Sequence, residues 1–140
     1  MTLKRVPLAS ISDNTFVGIA SKSEPNGSRT ALEVLVFPEA MRGVGEGDYP
    51  WDLQPGSMMT NATVTGVVKK KSGRDLALTY KTGSVTIHVP LKAPVVTFVP
   101  AERSDLKPGR KIFTIARKDA EGHLTTGRVT VATHGVNPPM

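Results

Sequence analysis

The sequence predicts an all-β protein: a small antiparallel β-barrel accompanied by an N-terminal β-hairpin that is half of a module. Three observations carry this reading. The apolar runs are rich in Val and Thr and alternate with polar residues, which is the period of a strand and not of a helix. They are short and punctuated by turn residues, with 13 Gly and 11 Pro in 140 residues, as expected for many strands joined by tight turns. A chain of this length makes one ordinary domain or two very small ones, with a modest core.

The strands are clearest after residue 60. In "NATVTGVVKKKSGRDLALTYKTGSVTIHVP", Ala62, Val64 and Val68 alternate with Thr63, Thr65 and Val67. "KKSGRD" then turns the chain, and Leu76, Leu78 and Tyr80 share one face. "KTGS" turns it again, and Val85, Ile87 and Val89 share the next. This spacing predicts a three-stranded antiparallel meander. Pro90 and Pro94 interrupt it, since proline has no donor for a central ladder, and "VVTFV" (Val95 to Val99) predicts a fourth strand. "AERSDLKPGRKIFTIA" predicts a short helical turn capped by Ser104 and ended by Pro108-Gly109, then a fifth strand over Arg110 to Ala116. "DAEGH" turns into a sixth, Leu124 to Ala132. Several short strands of this kind leave unpaired edges unless the sheet closes on itself, so residues 61–140 are expected to form the barrel.

Adding 95 to the residue number lays "ISDNTFVGIASKSEPNGSRTALEVLV" (Ile11 to Val36) without a gap on "LKPGRKIFTIARKDAEGHLTTGRVTV" (Leu106 to Val131). Ile11 meets Leu106, Asn14 meets Gly109, Val17 meets Ile112 and Gly27 meets Gly122, while Thr30, Val34 and Val36 meet Thr125, Val129 and Val131. Turn residues and strand period coincide where identities are few, which reads as an internal repeat or as two hairpins with one turn grammar. As a repeat, the first copy begins at its fourth strand. Residues 1–37 are then an incomplete module whose hairpin must pack on the barrel, extend its sheet, or pair with a second chain, a homodimer through sheet edges among the outcomes.

Between the modules lies "FPEAMRGVGEGDYPWD" with the single tryptophan, and residues 38–60 are expected to be a connector. Its glycines are not a phosphate loop, because that chemistry needs a strand before and a helix N-terminus after, whereas Asp48, Pro50 and Asp52 follow here. Trp51 is expected to anchor the connector with its ring buried and its indole N–H bonded. A Trp in a ligand groove is the sharper alternative, and the candidate ligand-binding residues are Trp51, Arg42 and Tyr49.

Catalytic constellations are sparse. His88 falls on the outward face of its strand, His123 follows a turn, and His134 lies near the end of the chain, none spaced as a metal pair. The acids Glu39, Glu46, Asp48 and Asp52 gather in the connector without a calcium-loop pattern. Met41, Met58 and Met59 are the side chains a soft metal takes, although Met is mostly core filler. No G-x-S-x-G nucleophile motif occurs. No enzyme activity, cofactor or metal site is therefore expected. With no cysteine there is neither a disulfide nor a thiolate site.

The net charge of +6 attracts anionic partners, but the basic residues are dispersed as Lys4-Arg5, Lys69-Lys70-Lys71-Arg74, Arg110-Lys111 and Arg117-Lys118. Single-strand binders stack bases on exposed aromatics. Only seven aromatics occur, and Phe98, Phe113 and Tyr80 alternate with polar residues as core does, so nucleic acid is the second reading behind an unidentified ligand or protein partner. No apolar run approaches the roughly 18–20 residues of a membrane span, and the N-terminus lacks the apolar core of a secretion signal.

The segment "TFVGIASKSEPNGSRTALEVLVFPEAMRGVGEGDYPWDLQPGSMMTNATV", followed by "VVTFVPAERSDLKPG", resembles a group of bacterial envelope proteins, many automatically labelled as metal-transporter permeases. They are similar to a domain family of unknown function whose barrels are like the oligonucleotide/oligosaccharide-binding (OB) fold. The resemblance implies an OB-like barrel, a periplasmic or envelope location, and a non-enzymatic binding or scaffolding role. A metal-associated periplasmic protein is the third reading. No catalytic or binding residues come with it.

Overall fold

The structure, a computed structural model, describes residues 1–133 and 135–138. Its strands are β1 (Thr2–Arg5), β2 (Phe16–Ser23), β3 (Arg29–Val36), β4 (Gly47–Trp51), β5 (Ser57–Lys70), β6 (Gly73–Tyr80), β7 (Gly83–Pro90), β8 (Val95–Val99), β9 (Ile112–Phe113), β10 (Arg117–Lys118), β11 (Leu124–Thr125) and β12 (Thr130–Val131). The only helical elements among the described residues are 3-10 turns at Leu8–Ser10, Glu39–Met41 and Arg103–Asp105. Among the described residues no helix is long and apolar enough to cross a membrane. The chain divides into two compact units, one of Arg5–Thr97 and one of Met1–Lys4 with Phe98–Met140.

The first unit is a closed five-stranded barrel. The meander β5-β6-β7 forms as its alternation dictates, with Leu76 opposite Ile87 and Leu78 opposite Val85. β2 pairs antiparallel with β3 and, along its other edge, with β5. The ring shuts where β3 meets β7 in parallel, Thr30 beside His88. Val17, Ile19, Ala31, Val34, Ala62, Val64, Leu76, Leu78, Ile87 and Val89 point inward and make the core. Each fully buried Val, Leu or Ile side chain among them contributes about 1.5–3 kcal/mol. The two long-partnered strands split their outer edges. β5 pairs β4 over Ser57–Asn61 and β6 from Thr63 onward. β3 reaches β7 near Thr30 and runs parallel to β8 over Val34–Val36.

The barrel therefore differs from the expectation that residues 61–140 close by themselves. The hairpin within residues 1–37 is not a separate half-module but two of the five staves. The reason lies in the inward residues of the competing hairpins. Hairpin β2-β3 offers Val17, Ile19, Ala31 and Val34, all buried, whereas the positions 95 residues later are Ile112, Thr114, Thr126 and Val129. Filling a barrel with two threonines in place of Ile and Ala would bury hydroxyls at a cost of about 1–3 kcal/mol each when unpaired. The span 38–60 is likewise more than a connector, since β4 lies within it. Pro50 is tolerated there because, among the described residues, β4 pairs only with β5 and needs no donor on its outer side.

Gly73 shows why the turn after β5 must contain glycine. Its φ is +149°, and a Cβ built there would stand 2.0 Å from the carbonyl oxygen of Val89, so no side chain fits between β6 and β7.

In the second unit, β9 pairs antiparallel with β12 and β10 with β11, two short ribbons nested in sequence. The N-terminal amine donates to the Val129 carbonyl at 3.0 Å, and the Val131 amide donates to the Met1 carbonyl at 3.0 Å. The 3-10 turn at Arg103–Asp105 was expected to be capped by Ser104. It is capped instead by Glu102 and Asp105, whose side chains close a reciprocal capping box.

Four strand pairings coincide at an offset of 95. The pairs Val17–Val36, Gly18–Leu35, Lys22–Thr30 and Ser23–Arg29 become Ile112–Val131, Phe113–Thr130, Arg117–Thr125 and Lys118–Leu124, each observed. The 3-10 turn at Leu8–Ser10 becomes that at Arg103–Asp105. The left-handed residues Asn14 and Gly27 become Gly109 and Gly122, with φ of 67°, 82°, 84° and 92°.

Candidate functional site

The barrel's polar outer face carries a groove of about 540 Å³ lined by Ser28, Arg29, Thr30, Lys70, Ser72, Asp75, Thr86 and His88. Strand alternation places them there. Ile87 and Val89 point into the core, so Thr86 and His88 point out; Leu76 points in, so Asp75 points out. Lys70 ends β5 and Ser72 lies in the β5-β6 turn, while Ser28 ends the β2-β3 turn and Arg29 and Thr30 begin β3.

Asp75 lies opposite His88 in the ladder, with Oδ1 2.7 Å from His88 Nδ1. Its other oxygen is ion-paired with Lys70 Nζ. The hydrogen bond to Lys70, then that to His88, holds the Asp75 carboxyl below the usual carboxylate range. Asp75 thus fixes His88 on one side and Lys70 on the other. Arg29 grips Asp48 with both guanidinium nitrogens, at 2.7 and 2.9 Å, and Thr60 donates to the same carboxylate at 2.7 Å. Those bonds hold Asp48 low, Arg29 first and then Thr60, and raise Arg29. A bidentate pair of this kind, its two side chains 19% and 14% exposed, pins β4 to the start of β3. Beside the Asp75 carboxylate, the groove presents a ligand with the remaining N–H groups of Lys70, the second ring nitrogen of His88 and the hydroxyls of Ser28, Thr30, Ser72 and Thr86.

An oriented histidine is half of a catalytic device, and a nucleophile is the other half. Among the described residues no hydroxyl is hydrogen-bonded to the His88 ring.

The predicted ligand-binding residues are placed elsewhere in this unit, and none of the three lines the groove. Arg42 forks onto Glu39 at 2.6 and 2.8 Å and donates to the Asn14 carbonyl at 2.8 Å. Tyr49 and Trp51 stand edge to face on β4, centroids 6.2 Å apart. The Tyr49 hydroxyl donates to the Gly45 carbonyl and accepts from Asn61. These contacts fold the glycine-rich loop down onto the barrel. Of the connector acids, Glu39 and Asp48 are taken up by Arg42 and Arg29. Met59 is core. His123 lies in the second unit, within a tight turn where Asp119 accepts the His123 and Glu121 amides; Asp119, Glu121 and His123 are all exposed. His134 lies outside the described residues.

Sequence reasoning placed His88 on the outer face but missed its partner. The signal was present: a two-residue turn at Lys81-Thr82 pairs Tyr80 with Gly83 and so sets Asp75 opposite His88. The contribution of Ser28 to Thr30 carried no such signal, because it depends on the long-range closure of β3 on β7. Neither family models, curated proteins nor solved structures give a match to this chain.

Proposed function

We propose that the protein is a non-enzymatic binding module of the bacterial envelope whose barrel holds an anionic, hydroxyl-bearing ligand, an acidic saccharide by chemistry, in the groove over β6 and β7. The observation that carries this is the convergence of Lys70, His88 and four hydroxyls from three separate parts of the chain on the seam where β3 closes on β7. The envelope location rests on the family resemblance.

The connectivity supports an OB-like barrel. The order is that of an OB barrel cut between its third and fourth strands, with the last hairpin moved to the front: β2-β3 stand for the closing hairpin and β5-β6-β7 for the opening meander. In such barrels the face of the second and third strands, flanked by the first and last hairpin turns, binds oligonucleotides and oligosaccharides. Here that face is β6-β7, the turns are those after β5 and after β2, and they line the groove. No Phe, Tyr or Trp ring lines it, which favours a saccharide over stacked bases at this site. The registers that repeat at an offset of 95 support reading the two hairpins as copies of one module.

Titration calorimetry with a uronate polysaccharide at low salt tests the proposal. Binding that falls at least about tenfold in Lys70→Ala and His88→Ala supports it. Absence of binding, or equal binding by both variants, rejects it.

A further inference from the structure

The second unit holds its own groove, of about 680 Å³, lined by Phe98, Phe113, Thr114, Ile115, Arg117 and Arg128 together with Thr125, Thr126, Gly127 and Thr130. We infer that this groove is a binding site for single-stranded nucleic acid, distinct from the saccharide site proposed on the barrel and standing independently of it.

Three features lead there. The first is composition: two aromatic rings and two guanidinium groups line one concavity with no carboxylate. Bases stack on aromatic faces and on guanidinium planes, and phosphates pair with arginine. Arg128 lies over the Phe98 ring at 5.4 Å from its centroid, so a planar cation and a ring already share one wall. Phe98 and Phe113 are half-buried, while Arg117 and Arg128 are exposed. The expectation that these phenylalanines are plain core, which had set nucleic acid second, is therefore not what the groove shows.

The second is contrast with the first hairpin, which has the same register. At the positions of Gly18, Ile19, Ala31 and Glu33 stand Phe113, Thr114, Thr126 and Arg128. Ile19 and Ala31 are buried in the barrel core. Their replacement by threonine and the exchange of Glu33 for arginine turn the equivalent ribbon from a core-facing wall into an open, cationic, ring-bearing one.

The third is a braced floor. Thr114 and Thr126 share a hydrogen bond at 2.8 Å. With one proton each, one of the two hydroxyls donates in this bond while the other donates to its neighbouring carbonyl, Arg128 at 2.7 Å from Thr114 or Ile115 at 2.9 Å from Thr126. These hydroxyls span the interval between the β9-β12 and β10-β11 pairs and hold Arg128 at the groove.

Fluorescence anisotropy with a labelled single-stranded oligonucleotide of mixed sequence, titrated with the full chain at low salt, tests the inference. The wild type binds with steep salt dependence, and Arg117→Ala lowers the log–log salt slope by about one. Phe98→Leu keeps apolar bulk but removes the ring, and Arg128→Lys keeps charge but removes the plane. Each weakens binding about tenfold or more. Lys70→Ala, on the barrel, leaves it unchanged, which separates this site from the other. The inference is overturned if the wild type does not bind at low salt, if both conservative variants bind as the wild type does, or if a uronate polysaccharide competes with equal affinity.

Discussion

Ile19 is the position at which the choice of hairpin can be measured. It is fully buried, faces Val34 across the hairpin and Thr60 on β5, and its counterpart 95 residues on is Thr114. Ile19→Thr gives the closing hairpin the chemistry of the one that does not close. The change removes about two carbons of buried apolar volume, worth about 0.8 kcal/mol each before any cavity cost. It also buries a hydroxyl whose unpaired desolvation costs about 1–3 kcal/mol. The sum is about 3 kcal/mol. Trp51, the single tryptophan, sits on β4 and reports on the barrel unit. Urea unfolding followed by its fluorescence should move the midpoint down by about 1–2 M at a typical slope. The reciprocal Thr114→Ile lies on an exposed residue and should leave the barrel's unfolding free energy unchanged within about 0.5 kcal/mol. If Ile19→Thr is silent, or Thr114→Ile stabilises the barrel substantially, the assignment of the staves is wrong.

Two further outcomes follow from the barrel. Gly73→Ala drives a Cβ to 2.0 Å from the Val89 carbonyl oxygen at φ +149°. It should destabilise by more than about 2 kcal/mol in thermal unfolding, whereas Gly27→Ala, with open space around it, should cost about 1 kcal/mol for the left-handed backbone alone. Glu33 is 4% exposed, and burial pushes its carboxyl up to about 8 against the opposing pull of Arg5. The folded state keeps this proton to a higher pH than the unfolded chain does. Stability from Glu33 is therefore present below pH 4.5 and declines between pH 4.5 and about 8, with a limiting slope of about 1.4 kcal/mol per pH unit. Glu33→Gln should abolish that part of the slope in urea titrations across the range and be more stable than the wild type at pH 8; a slope unchanged by the substitution would contradict the burial argument.

What could be read from the residues was local. The meander, the strand Val95–Val99 and the turns at Lys71-Ser72, Lys81-Thr82 and Asp119 to His123 follow from alternation and turn chemistry, and the outward placement of His88 follows from its neighbours. What could not be read was partner choice. Two hairpins with one register compete for one meander, and the difference rests on a few inward residues, Ile19 and Ala31 against Thr114 and Thr126. β4 was hidden by Pro50 and its acids, because an edge strand can carry both. The Arg29–Asp48 fork joins residues of two strands, β3 and β4, that are not paired with each other and that no period connects. The groove was legible only in its Asp75–His88 part, since its other wall exists only after β3 closes on β7.

Native-state hydrogen exchange most directly tests whether the first hairpin closes the barrel. Amides of β2 and β3, between Val17 and Ala20 and between Val34 and Val36, should be protected to the same degree as those of Leu76 to Leu78 in β6, while amides of Thr114 to Ala116 and Thr126 to Arg128 exchange orders of magnitude faster. Fast exchange in β2 and β3 together with slow exchange in β9 to β12 would mean that the C-terminal hairpin is the one that shuts the barrel.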